Sequence, residues 1–94
     1  MSERLTVQFK VQADKVGEFE KVLAGAASRV RAEDKGCEMY NLFKSVDDDT
    51  NFVLVESWAT PDDLKAHGKS PAMAEMGKIA PMMAGAPVIH RYND

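Results

Sequence analysis

The sequence predicts an α+β fold, a four-stranded antiparallel sheet with helices on one face, in the ferredoxin-like order β-α-β-β-α-β. Three observations predict it. Residues 4–12 alternate apolar and polar, the period of a strand. Residues 13–34 switch to spacings of three and four, the period of a helix. A strand–turn–strand run, a proline-started helical segment and a final β-branched run then follow. At 94 residues the whole chain, 1–94, reads as one domain.

In the first strand Leu5, Val7, Phe9 and Val11 face one way and Thr6, Gln8, Lys10 and Gln12 the other. Along 13–34 an apolar stripe runs through Val16, Phe19, Val22, Leu23, Ala26, Ala27 and Val30. Asp14 is the expected N-cap, and Gly36 the expected stop. Residues 37–46 read as the second strand, 47–51 as a polar turn and 52–58 as the third strand. Thr60, Pro61 and Asp63 have the grammar of a helix start, and Ser70–Pro71 repeat the cap-then-proline order. Met73, Met76, Ala80 and Met83 form a second stripe, which Pro81 is expected to end or kink. Residues 87–92 are the fourth strand. Both faces of the third strand look partly buried. A second copy, packed sheet to sheet, would supply the cover.

Composition narrows the function classes. Net charge is −3 and the basic residues are scattered, which argues against nucleic acid. No run of 18 apolar residues and no N-terminal apolar leader region occurs, so no membrane association is expected. The one cysteine, Cys37, cannot form a disulfide within the chain and reads as a small apolar residue. The expected setting is soluble, reducing and cytoplasmic. Two distant histidines and one cysteine make no metal motif, and the acidic run 47–49 lacks the pattern of a calcium loop.

Two residues invite chemistry. His67 follows Leu64 by three on a short helix, so both share a face. It reads either as a group at a pocket or as a surface residue near a helix C-terminus. Glu56 interrupts an apolar strand face and needs a partner or a shifted pKa. An Arg or Lys across a dimer is one reading, and a second proton acceptor is the other. Trp58 reads as core or interface, with an N–H that wants a partner. His90 and Tyr92 share one face of the last strand and read as structural or as pocket margin.

The segment VESWATPDDLKAHGKSPAM is similar to the pattern E-x-W, then Ala-His, then Ser/Thr-Pro of the antibiotic biosynthesis monooxygenase (ABM) family. KVGEFEKVL, GCEMYNLF and VIHRY fall where that family has its first helix, second strand and last strand. Among members the chain most resembles the small quinol monooxygenase type. That resemblance implies a homodimeric α+β barrel with a small apolar pocket in each subunit. It implies a cofactor-independent monooxygenase that uses O2 to oxidise a small aromatic quinol or phenol to a quinone, with no metal, flavin or haem. The haem-degrading branch carries an Asn in its first strand, and this chain has none there.

Triplet O2 reacts with a phenolate far better than with a phenol, so such an enzyme needs a base and a dry cavity. The expected base, or hydrogen-bonding group, is His67. The expected pocket wall is Trp58, Leu64, Met73, Met76, Met83, Phe43 and Phe9, with Met82 as a further candidate. Two alternatives stand beside this. One is a non-oxidative isomerase-type enzyme on a small carbonyl compound, which needs Arg29, Arg31 or Lys44 turned inward. The other is a non-catalytic small-molecule-binding dimer, which predicts a filled core beside His67.

Overall fold

The computed structural model describes residues 2–93. The strands are β1 (Glu3–Lys10), β2 (Cys37–Lys44), β3 (Asn51–Trp58) and β4 (Val88–Asn93), and the α-helices are α1 (Val16–Glu33), α2 (Pro61–His67) and α3 (Pro71–Met76). The sheet order is β2-β3-β1-β4, and every pairing is antiparallel. This is the ferredoxin-like architecture that the alternation and helical spacing predict.

Register decides which residues meet. Leu5 pairs with Glu56, Val7 with Leu54 and Phe9 with Phe52, so β1 and β3 present one continuous face to the helices. α1 lays Phe19, Leu23, Ala26, Ala27 and Val30 on the helix side of the sheet. Phe19 ties the two layers together, with ring centroids 5.5 Å from Phe9 and 4.8 Å from Phe52. Phe52, Leu54, Glu56 and Trp58 face this core, while Val53 and Val55 are half-buried on the opposite face.

Several local expectations are corrected. Asp14 does not cap α1. A 3-10 turn, Ala13–Lys15, precedes the helix, and Lys15 holds the cap position without a side-chain bond. Thr60 caps α2 as expected, its Oγ1 accepting from the Asp63 backbone N–H at 3.1 Å. Ser70 starts α3 but caps nothing, because its hydroxyl is engaged elsewhere. α3 ends at Met76, earlier than Pro81 alone requires, and a 3-10 segment (Gly77–Met82) follows. The methionine stripe is therefore not one helical face. Beyond it Met83 bridges to Val11, and the Gln12 amide donates to the carbonyls of Pro81 and Met83.

Gly36 has φ +81°, the left-handed conformation that ends the helical segment and turns the chain into β2. The Asp63 carboxylate also stands where a Cβ on Gly36 would go, within 2.6 Å. Gly36→Ala is therefore expected to destabilise the protein by about 1–2 kcal/mol from backbone conformation alone, with displacement of Asp63 added. Urea unfolding of the variant against the parent checks this.

Candidate functional site

Where β3 ends, α2 and the turn after α1 converge on a buried polar cluster. Glu56 and Trp58 lie two apart on β3, so both point to the core. His67 is the last residue of α2 and is buried there. Asp34 follows α1 directly, with its backbone N–H donating to the Val30 carbonyl. An acidic side chain at a helix C-terminus opposes the helix dipole, so Asp34 needs another partner.

That partner is His67. Its Nδ1 lies 2.6 Å from Asp34 Oδ2, with both side chains buried. A carboxylate accepts, so the imidazole carries its hydrogen on Nδ1. The Ser70 hydroxyl donates to the same Oδ2 at 2.9 Å. On the other side, Nε2 lies 4.0 Å from Glu56 Oε1, beyond hydrogen-bond length. Glu56 Oε1 accepts from Trp58 Nε1 at 3.0 Å. The imidazole stacks on Trp58 at 4.5 Å between centroids and meets Tyr40 edge-on at 5.3 Å. One imidazole thus sits between two carboxylates and two aromatic rings.

Burial raises the Glu56 pKa above its ordinary 4.5, against the lowering effects of the Trp58 hydrogen bond and the His67 charge. Burial, then Glu56, hold the Tyr40 phenol above its ordinary range. Cys37 is raised by burial, with Asp34 and Glu56 adding to it, so its thiol stays protonated and unreactive.

The arrangement can orient a base. Asp34 fixes the tautomer, which leaves the Nε2 lone pair free to take a proton, and Glu56 would stabilise the imidazolium that results. Access is the constraint. His67 is 5% exposed and Trp58 0%, so no water-sized space borders Trp58. The His67 imidazole is therefore nearly closed to solvent.

The expected pocket residues do not surround one space. Trp58 and His67 share the polar cluster, and Leu64, on the same helix as His67, packs against the core. Phe9 is core, against Phe19. Met76 and Met83 pack on the core and Met73 is half-buried, while Met82 is buried. Phe43 is 50% exposed because its place on β2, opposite Val53, turns it to the far face. It borders a groove of about 790 Å³ between α1 and β2 and a smaller one of about 230 Å³ beside β3. Neither groove is lined by His67. Glu56 has its partners inside the subunit, Trp58 and His67. Asp34, Ser70 and Tyr40 were not expected at the site. Asp34 had a legible signal, an acid placed against a helix dipole.

The model of the family described as antibiotic biosynthesis monooxygenase (ABM) matches residues 4–78. The chain belongs to the ABM family. A "putative antibiotic biosynthesis monooxygenase" from Caulobacter crescentus CB15 is 35% identical, with TM-score 0.93, covering 99% of this chain and 89% of that one. A protein of the same description from Nitrosomonas europaea is 23% identical, with TM-score 0.93 over 99% and 89% of the two chains. A conserved protein from Methanosarcina mazei Go1, 18% identical with TM-score 0.92 over 100% and 93%, shares the fold. No curated protein matches. Among the described residues no helix is long and apolar enough to cross a membrane, and no group of three or more His, Cys, Asp or Glu could hold a metal ion.

Glu56 predicts a pH dependence of stability. Its folded pKa is raised, so between about 4.5 and that value the unfolded chain has released a proton that the folded chain retains. Its contribution is fully present below pH 4.5 and is lost as pH rises through the folded pKa. Glu56→Gln keeps an acceptor for Trp58 and cannot ionise. Its stability relative to the parent should rise between pH 4.5 and 8, read by urea unfolding across that range. A difference that does not change with pH contradicts the assignment.

Proposed function

We propose that this chain is a monooxygenase-type enzyme that oxidises a small aromatic quinol or phenol with O2, with His67 as the proton acceptor held by Asp34. The observation that carries the reading is the buried Asp34–His67 hydrogen bond. It orients an imidazole whose second nitrogen faces Glu56 without being hydrogen-bonded to it. Family membership supports it, as does the description of the 35% identical Caulobacter protein. In this reading a phenolic proton passes to Nε2, and the phenolate then gives an electron to O2. Glu56 steadies the imidazolium, and Tyr40 and Trp58 hold its ring.

A homodimer is part of the proposal. The sheet face turned away from the helices carries Met39, Phe43, Val53, Val55, Val88 and Tyr92, and Tyr92 is 55% exposed in the single chain. An apolar face of this extent is suited to a second sheet. Sedimentation should give twice the chain mass for the parent. Val55→Lys, a charge in the middle of that face, should sediment as a single chain. A monomeric parent overturns the dimer.

An isomerase-type reaction on a carbonyl compound is the second reading, supported by Arg31 and Lys44 at the groove between α1 and β2. Arg29 instead pairs with Glu33 and Glu75 at the surface. Oxygen uptake separates the two. Metal-free, flavin-free protein is given hydroquinones and naphthols, beside His67→Gln verified as folded. Uptake above autoxidation that falls about a hundredfold or more in the variant is expected, a general base contributing about 10²–10⁴-fold. Equal uptake in both removes His67 from its role. No uptake across the panel removes the oxygenase reading.

A further inference from the structure

One open space in the molecule lies away from the His67 cluster. It is the groove of about 790 Å³ between α1 and β2, within the size range of small-molecule sites. Its helix wall is residues 17, 20, 21, 24, 27 and 31, one face of α1. From Gly17 to Arg31 that wall is about 21 Å long at the helical rise. The space exists because Gly17, Ala24 and Ala27 leave the gap over Leu42 and Phe52 unfilled.

Charge at the groove is lopsided. Lys21, Arg31 and Lys44 border it, against one carboxylate, Glu20. Lys44 is committed: its Nζ is 2.6 Å from Glu20 and 5.6 Å from the Phe52 ring centre. Arg31 donates through Nη1 to the Tyr40 carbonyl at 2.6 Å. A guanidinium has five N–H donors, and this bond anchors the group while leaving the others available. Among the described residues no carboxylate pairs with Arg31 or Lys21. On a chain of net charge −3, this is a local surplus of positive charge beside an apolar floor.

We propose that the groove between α1 and β2 binds an aromatic carboxylate. The rings lie along Ala24, Leu42 and Phe52, and the carboxylate pairs with Arg31, Lys21 adding long-range attraction. Arg31 suits this task because its planar fork matches a carboxylate. The proposal goes beyond the His67 reading: it assigns a second small-molecule site, for an acidic aromatic ligand, apart from the buried cluster. Arg31 also holds the backbone of Tyr40, whose ring touches His67, so the groove and the buried cluster share a residue.

Calorimetric titration with 2-naphthoate and 2-naphthol, without turnover, tests it. Absence of oxygen uptake therefore leaves this result standing. The expected result is that naphthoate binds more tightly than naphthol, and less tightly as salt is raised. Arg31→Gln should weaken naphthoate at least tenfold and leave naphthol unchanged. Ala24→Trp, at an exposed position, should abolish binding of both while urea unfolding stays at the parent value. If Arg31→Gln fails to fold, Lys21→Gln, with a smaller loss for naphthoate alone, and Ala24→Trp decide the matter. Equal affinities for the two probes, or naphthoate binding that survives Ala24→Trp, overturn the proposal. So does no binding of naphthoate.

Discussion

A carboxylate placed in the middle of an apolar strand face must find partners or give up its charge. Glu56 does some of both. It accepts from Trp58 and faces His67, and its ionisation is disfavoured by burial. From that one residue the local architecture follows. His67 must come to the core, so α2 has to end there. Its Nδ1–H needs an acceptor, so the turn after α1 has to deliver Asp34. Asp34 in turn draws in Ser70, the residue before α3. Strand β3, the α2–α3 connection and the turn after α1 are thus brought together by one run of polar contacts.

Removing Asp34 leaves the His67 Nδ1–H and the Ser70 hydroxyl without their acceptor, and removing Glu56 leaves the Trp58 N–H without its own. A buried polar group left alone costs more than a made hydrogen bond contributes. The cluster is therefore stiff as well as chemically suggestive. Stiffness is what a positioned base needs, and the rings of Tyr40 and His67 pack directly on Trp58. The open volume lies on the other flank of α1, where glycine and alanine face β2. Arg31 is the residue that belongs to both regions, through the Tyr40 carbonyl and the groove.

Much of the fold was legible in residue periodicity. The strict alternation at 4–12 specified a buried face, and the pairing of β1 with β3 uses it. The Thr60–Pro61 start of α2 was legible because capping is local chemistry. Ser70 had the same local grammar and does something else, because a buried carboxylate 36 residues away competes for its hydroxyl. Periodicity also could not say that the methionine stripe breaks at Gly77, where the chain tightens to 3-10 geometry before Pro81. His67 and Glu56 stood out as polar residues at apolar positions. Their pairing with Asp34 needed the third dimension, since the contact spans 33 residues.

The central claim is that Asp34 holds His67 as the Nδ1–H tautomer inside the protein. Nitrogen-15 NMR of the imidazole side chains tests it directly. The account predicts a Nδ1-bound proton on His67, visible and slow to exchange with water, that vanishes in Asp34→Asn while the backbone spectrum stays folded. A His67 ring protonated on Nε2 alone, or one exchanging as fast as exposed His90, would contradict it.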